Sequence, residues 1–271
     1  MKQPMARWGM AAVLAVTLAF TTGAQAGRSC EAHQPTLQII DRGMTLAQRT
    51  AQALDAESAR SGTRVVLLAR AGQDLGKYGL RYSHLGIAYK KTPEGPWRVL
   101  HKLNQCGTAV ASLYRQGLGE FFLDDPWRYE AAWVVPAPEV QARLYALLTD
   151  PQRATALHVR EYNMVSYVWG RKYQQSNQWV IELLAAAMED SIRTRDQAQA
   201  WLQSRGYEPT TLRLGPLTRL GGRMTAANVA FDDHPNEKRF SDRIETVTVD
   251  SVFSWMRRAG LGNAPVTLGL Q

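Results

Sequence analysis

The segment YSHLGIAYK, residues 82–90, decides the fold class that the sequence predicts. Its apolar residues Leu85, Ile87 and Tyr89 alternate with other residues, and this period of two indicates a half-buried strand. The segment WRVLHKL, residues 97–103, indicates a second strand, and the proline and glycine residues between the two segments indicate a hairpin turn. We therefore expect two neighbouring antiparallel strands at the centre of the fold.

The remaining patterns extend this hairpin to a mixed fold. Apolar spacing and helix-forming composition predict helices over residues 44–60, 138–148, 176–190, 195–206 and 250–258. Runs rich in β-branched residues predict strands over residues 63–70, 129–135 and 243–249. The segment 111–122 is interpreted as a short helix with a loop, and Asp250 as the N-cap of the last helix. Strands early and helices late predict one α+β domain, with an antiparallel sheet packed on helices.

The first 26 residues have the composition of a secretory signal peptide. Lys2 and Arg7 precede an apolar run, and Ala24, Gln25 and Ala26 form a small-x-small cleavage site. The apolar run is short for a membrane span. We expect cleavage before residue 27, one domain over residues 27–271, a periplasmic location and no integral membrane anchor after processing.

Charge restricts the classes of partner. The formal net charge is +8, from 32 Lys and Arg against 24 Asp and Glu, but the cations are scattered along the chain. A nucleic-acid-binding arm would show a basic run, so we predict no nucleic-acid partner. The positive surplus favours an anionic component of the cell envelope, such as a peptidoglycan peptide or a lipid.

The two cysteines, Cys30 and Cys106, are interpreted as a disulfide. An isolated pair in an oxidising compartment is oxidised by default. The alternative is that Cys106 is a free nucleophile in the sequence LNQCG. This alternative is weaker, because no predicted helix begins there to lower the pKa of its thiol.

Two acidic pairs carry atoms that could bind a metal ion. Asp124 with Asp125, and Asp232 with Asp233 beside His234, offer oxygen and nitrogen donors. The acids lie near prolines in segments typical of turns, and neither stretch has the spacing of a ligand loop. We therefore predict no metal and no cofactor.

His84, at the start of the first hairpin strand, is a candidate catalytic base. His101 on the neighbouring strand could orient its ring. A nucleophile is well placed at a helix N-terminus, and Ser176 opens the most strongly predicted helix. Serine is also a favoured N-cap, and by residue type alone the cap is the simpler interpretation of Ser176.

The order of these motifs resembles the circularly permuted papain-like proteins. A histidine in SHLGI, a polar residue on the next strand and a helix opening with SNQWV are similar to the permuted NlpC/P60 and lecithin:retinol acyltransferase groups. The resemblance implies a papain-like fold in which His84 is the base, His101 orients it, and Ser176 stands at the position of a cysteine. It also implies that Tyr82 and the backbone of Gly86 line the site. Trp169, which lies close before Ser176 in the sequence, is expected at the groove, and Asn177 is expected to bind substrate.

Over its full length the chain resembles a family of secreted bacterial proteins, domain-of-unknown-function family 2145. The blocks RYSHLGIAYK, HKLNQCG, LGEFFLDDP and SNQWV suggest it. This second resemblance implies no activity. Serine is a poorer nucleophile than cysteine at neutral pH, so two functions stay open. One is a hydrolase or acyl transferase acting on cell-envelope amides or esters. The other is a non-catalytic envelope protein that binds a peptide or an acyl chain in the same groove.

Overall fold

The computed structural model describes residues 34–124 and 126–270. The predicted signal peptide and Cys30 lie outside these residues. The described strands are β1 Val65–Ala71, β2 His84–Lys90, β3 Trp97–Asn104, β4 Ala111–Gly117, β5 Arg128–Val134, β6 Thr210–Arg213, β7 Arg243–Thr246 and β8 Val266–Gly269. Six of them form one antiparallel sheet in the order β4-β3-β2-β1-β5-β8, and β6 pairs with β7.

Helices cover both faces of the six-stranded sheet. They are α1 Leu37–Ser61, α2 Leu118–Leu123, α3 Pro138–Thr149, α4 Pro151–Thr155, α5 Ser176–Met188, α6 Arg195–Ser204, α7 Pro216–Thr225, α8 Asn236–Arg239 and α9 Val249–Arg258, with a 3₁₀ turn at Gly76–Tyr78. The predicted α+β class with an antiparallel sheet is confirmed. Within the two described ranges, no helix is both long enough and apolar enough to cross a bilayer.

Alternation along the strands divides the core into two layers. Successive side chains of a strand point to opposite faces of the sheet. Leu67 of β1 and Ile87 of β2 pack with α3, α5 and α9 on one face, whereas Leu68 and Ala88 pack with α1 and α2 on the other. The sheet is therefore the middle layer of three, and any two groups on opposite faces are separated by it.

Helix α5 is enclosed on all sides. Every residue from Ser176 to Ala187 is buried, because β2 and β3 lie beneath the helix and α3 and α6 lie beside it. The sequence predicted a single buried stripe. A helix enclosed all round must satisfy any polar side chain inside the protein, since water does not reach it.

Three predicted local features differ in the structure. Residues 111–117 form strand β4, because each of them pairs with a residue of β3, and this ladder overrides the weak helical pattern. The cap of α9 is Thr248, whose hydroxyl accepts from the Ser251 N–H at 3.1 Å, and not Asp250. The cap of α5 is Gln175, so Ser176 is the first helical residue.

We predict that Gly86→Ala destabilises the fold. A Cβ at residue 86 would lie 2.6 Å from Val99 Cγ1 and 3.0 Å from the Cβ of His101, so the hairpin would have to separate. Overpacking of this kind costs about 1–3 kcal/mol. Gly221→Ala, at a helical position with nothing within 4 Å, is the control and should leave stability unchanged or raise it slightly. Urea unfolding of the two variants measures the difference, and equal midpoints would contradict the close β2–β3 contact.

Candidate functional site

The two predicted histidines are joined by a hydrogen bond. His84 Nε2 lies 2.8 Å from His101 Nδ1, and His101 Nε2 lies 2.8 Å from Gln116 Oε1. The Gln116 carbonyl oxygen only accepts, so His101 donates to it through Nε2 and accepts from His84 through Nδ1. His101 is therefore neutral in this arrangement. Gly86 permits it, because it lies opposite His101 without a side chain.

The histidine pair lies on the sheet face that α1 and α2 cover. Phe121 of α2 contacts both rings, with centroid distances of 5.8 Å to His84 and 5.2 Å to His101. Arg70 of β1 pairs with His84 in the sheet register and bonds to the Phe121 carbonyl and to Asp124. The register of β1 and β2 therefore places the Arg70 guanidinium near the two histidine rings.

Burial and Arg70 keep both rings uncharged. Burial lowers the pKa of His84 well below its usual value, and the positive charge of Arg70 lowers it further. The pKa of His101 falls to about 4, again through burial first and Arg70 second. The neutral pair forms a chain of two hydrogen bonds that runs from His84 through His101 to Gln116, which is half-buried.

Ser176 lies with neither histidine. Its hydroxyl has one hydrogen-bond partner among the described residues, the Tyr162 hydroxyl, at 3.4 Å. Helix α5 packs on the sheet face to which Leu85 and Ile87 point, whereas His84 points to the other face. The nearest link is between sequence neighbours: the Leu85 N–H donates to Asn177 Oδ1 at 2.9 Å. The structure thus brings together His84 and His101, but not Ser176.

The polar run QQSNQ, residues 174–178, attaches the start of α5 to its surroundings. Gln175 Nε2 donates to Thr246 and to the Val247 carbonyl, and its Oε1 caps the helix by accepting from the Asn177 N–H. Gln178 donates to two carbonyls of the 167–168 segment and accepts from Ser166. These contacts hold the irregular 162–175 segment and the β7–α9 connection against the helix.

A buried charged network, which the sequence interpretation missed, lies one turn further along α5. Glu182, fully buried, accepts two bonds from Arg195 at 2.7 and 2.9 Å and one from Gln199. Gln174 connects Glu182 to Lys102 of β3. Burial first, and the charge of Arg195 second, lower the pKa of Lys102 to about 7. The sequence does contain a signal for this network, because Glu182 is a charged residue inside the apolar stripe of a predicted helix.

The other predicted substrate-binding residues, Trp169 and Tyr82, contact different parts of the structure. Trp169 is half-buried and packs edge-on against Tyr207, with ring centroids 6.2 Å apart. Tyr82 is buried and donates from its hydroxyl to Glu130 at 2.5 Å. Burial and this carboxylate raise the pKa of the Tyr82 hydroxyl. These residues do not surround Ser176.

In the first acidic pair, Asp124 accepts a hydrogen bond from Arg70, and Asp125 lies outside the described residues. Asp233 accepts from the Tyr167 N–H and from His234 Nδ1, and Asp232 pairs with Lys172. Within residues 34–124 and 126–270, no three His, Cys, Asp or Glu side chains form a group suited to a metal ion. Cys106 is not a free thiol, but its predicted partner lies outside the described residues. The disulfide therefore stays a prediction.

Two surface cavities lie beside β8, one on each face of the sheet. The larger, about 580 Å³, lies towards α9 and is lined by Arg81, Tyr82, Asp250, Phe253, Ser254, Arg257, Arg258, Pro265 and Thr267. The smaller, about 380 Å³, lies towards α1 and includes Trp133, Thr267 and Leu268 in its lining. We call the two together the β8 groove.

Comparison with known proteins identifies the family. Residues 57–256 match the family described as "Uncharacterized protein conserved in bacteria (DUF2145)". The chain belongs to the DUF2145 family. No curated protein and no solved structure matches it. In this DUF2145 chain the matched range includes the histidine pair, α5 and most of α9, but ends before β8.

We expect Gln175→Ala to destabilise this DUF2145 protein far more than Ser176→Ala. The first variant removes the α5 cap and the bonds to Thr246 and Val247, with an expected cost of about 2–3 kcal/mol. The second removes only a hydroxyl contact 3.4 Å long and should cost less than about 1 kcal/mol. Chemical unfolding decides the order, and a larger loss in Ser176→Ala would show that its hydroxyl has a partner of greater weight.

The neutral histidine pair predicts a loss of stability in mild acid. Between about pH 6.5 and pH 4 the unfolded chain binds protons at His84 and His101 that the folded chain does not, so stability falls as pH falls. The slope is about 1.4 kcal/mol per pH unit for each histidine. His101→Asn should reduce the slope by about one such step, whatever its effect on absolute stability. Unfolding free energies measured across this range give the slopes, and equal slopes would show that His101 is not held neutral.

Proposed function

We propose that this protein binds an extended acidic peptide in the bacterial envelope, by adding the peptide as a strand to the outer edge of β8. Strand β8 ends the six-stranded sheet, so among the described strands nothing pairs with its outer edge. Its sequence VTLG has no charge and no proline within it. Sheet edges are usually protected by such residues, and an unprotected apolar edge is a template for another strand.

The β8 groove supports an added strand, and it is the observation on which the proposal rests. Cavities lie on both faces of the sheet beside the same short strand, and Thr267 lines both. Side chains of an extended peptide alternate between the two faces of a sheet. A strand beside β8 would direct successive side chains towards the two cavities in turn.

Charge supports an acidic peptide. Three arginines, Arg81, Arg257 and Arg258, line the larger cavity, against the single carboxylate of Asp250. Arg81 is held by Glu130 through two hydrogen bonds, and Arg258 contacts Glu208 at the surface. In the described part of the chain Arg257 has no carboxylate partner, so it is the cation available to an incoming carboxylate. Expected ligands in the envelope include peptidoglycan peptides, which carry free carboxylates.

The catalytic alternative has less support. A serine hydrolase or acyl transferase needs a base within hydrogen-bond reach of the hydroxyl. Ser176 is 5% exposed, and its contact is Tyr162 rather than a histidine. The permuted papain-like relationship is supported by the histidines on neighbouring strands and by the Asn177 contact to β2. That relationship implies a serine beside the two histidines, whereas in this structure the sheet lies between Ser176 and their rings.

A synthetic peptide pair tests the proposal. The probe is a capped hexapeptide of alternating Glu and Val, compared with one of alternating Lys and Val. We expect the acidic peptide to bind and the basic one to bind at least about tenfold more weakly. Arg257→Gln should weaken binding of the acidic peptide about fivefold to tenfold, because it removes a charge-assisted contact. Arg160→Gln, at an exposed arginine outside the groove, is the matched control and should change nothing.

Amide hydrogen exchange tests the binding mode in the same complexes. Strand addition protects the outward-facing backbone N–H groups of residues 266–269, and a probe with N-methyl groups at alternate residues should fail to bind. Binding of the acidic peptide without protection at β8 would contradict strand addition. Equal binding of both peptides, or of neither, would contradict the proposed function.

A further inference from the structure

Helix α7 presents its apolar side to solvent. Leu217, Leu220 and Met224 follow the spacing i, i+3, i+7 and therefore share one side of the helix. They are 84%, 56% and 77% exposed. The inward side is formed by Gly222, which is buried, and Arg219, which is half-buried. An amphipathic helix normally packs its apolar side on the core, and α7 does the opposite.

Arg219 explains the orientation of the helix and adds a further apolar residue to its outer side. The Arg219 guanidinium donates to the carbonyls of Arg239 and Ser241, which flank Phe240, and lies over the Phe231 ring at 4.8 Å. These bonds hold α7 on the domain through its polar side. They also bring Phe240, itself 77% exposed, beside α7. We call Leu217, Leu220, Met224 and Phe240 the α7 apolar surface.

Arginines without acidic partners surround this surface. Arg213 and Arg243 lie directly opposite each other in the β6–β7 ribbon, and like charges in such positions repel. Arg213 is three residues before the start of α7. Arg223 follows on α7, and Arg239 precedes Phe240. In the described part of the chain none of the four forms an ion pair. Of the nearby acids, Asp232 and Glu245 are held by lysines, whereas Glu237 and Asp242 form no ion pair among the described residues.

We propose that the α7 apolar surface binds the surface of a bilayer that contains anionic phospholipid. Apolar side chains on one side of a helix enter the boundary between headgroups and acyl chains, and the flanking arginines contact lipid phosphates. The surface belongs to a projecting helix, and neither cavity of the β8 groove is lined by α7. An exposed apolar helix face with arginines around it matches a lipid surface better than a peptide ligand.

Vesicle flotation tests the proposal. The protein is purified as cells export it, with its N-terminus read by intact mass, because the apolar run within residues 1–26 would itself bind lipid. It is mixed with vesicles of phosphatidylcholine alone or of phosphatidylcholine with phosphatidylglycerol. We expect flotation with the anionic vesicles, weakened by salt, and little with the neutral ones.

Matched substitutions separate the α7 surface from general charge attraction. Leu217→Ser should weaken the partition coefficient roughly fivefold to tenfold, because one leucine no longer enters the lipid. Leu37→Ser makes the same change at a residue that is 86% exposed on α1, and it should have no effect. Arg213→Gln with Arg223→Gln should weaken binding to anionic vesicles alone, by about fivefold for each arginine. All these residues are exposed, so folding should be kept, and circular dichroism confirms it.

Each remaining outcome contradicts the proposal. Absence of flotation with anionic vesicles would overturn it directly. Equal effects of Leu217→Ser and Leu37→Ser would show that binding is non-specific attraction of a basic protein. Concentration-dependent dimerisation that Leu217→Ser abolishes, without lipid binding, would assign the surface to a second copy of this chain instead.

Discussion

The rest of this structure depends on the enclosure of α5, a helix whose first three residues and the two residues before them are polar, and which is covered by protein on every side. Each buried polar group without a partner costs about 1–3 kcal/mol, so the surroundings of the helix must supply partners. They do so from several elements: β2 bonds to Asn177, β7 and the segment after it to Gln175, and β3 to Gln174 through Lys102. The polar run thus fixes the irregular 162–175 segment against the sheet.

The sheet then determines which groups can react with each other. Residues next to each other in a strand point to opposite faces, so His101 points towards Phe121 while Lys102 points towards α5. A contact between the backbone of β2 and Asn177 brings the start of α5 close to the histidine strand. The side chain of His84 nevertheless leaves on the other face. The order of the motifs along the chain therefore does not produce a contact between the Ser176 hydroxyl and the His84 ring.

Sequence patterns predicted the parts of the fold that local periodicity determines. The β2–β3 hairpin, α3, α5 and the α+β class follow from alternation, turn residues and helical stripes. The hydrogen bond between His84 and His101 was likewise expected, because neighbouring antiparallel strands bring side chains of one face together. What periodicity cannot give is the face on which a later helix packs. The alternation separated His84 from Leu85, but only tertiary packing assigns α5 to the face of Leu85.

Two other differences have the same origin in long-range contacts. Strand β4 lacks clear alternation and exists because β3 offers a complete ladder to it. Helix α7 is not among the predicted helices. It has an apolar stripe of the kind that usually packs on a core, yet Arg219 bonds to main-chain carbonyls and the stripe faces outward. In both cases hydrogen bonds to main-chain groups override the side-chain pattern.

Gln175, and not Ser176, holds the start of α5 in place, and Ser176 is not a nucleophile served by His84. A fluorophosphonate probe, which reacts with activated serines, tests this central claim most directly on the folded protein. We expect the probe to label wild type no more than it labels Ser176→Ala, with both proteins shown to be folded. Labelling of wild type that is lost in Ser176→Ala and in His84→Ala would contradict the account, and would establish a serine enzyme.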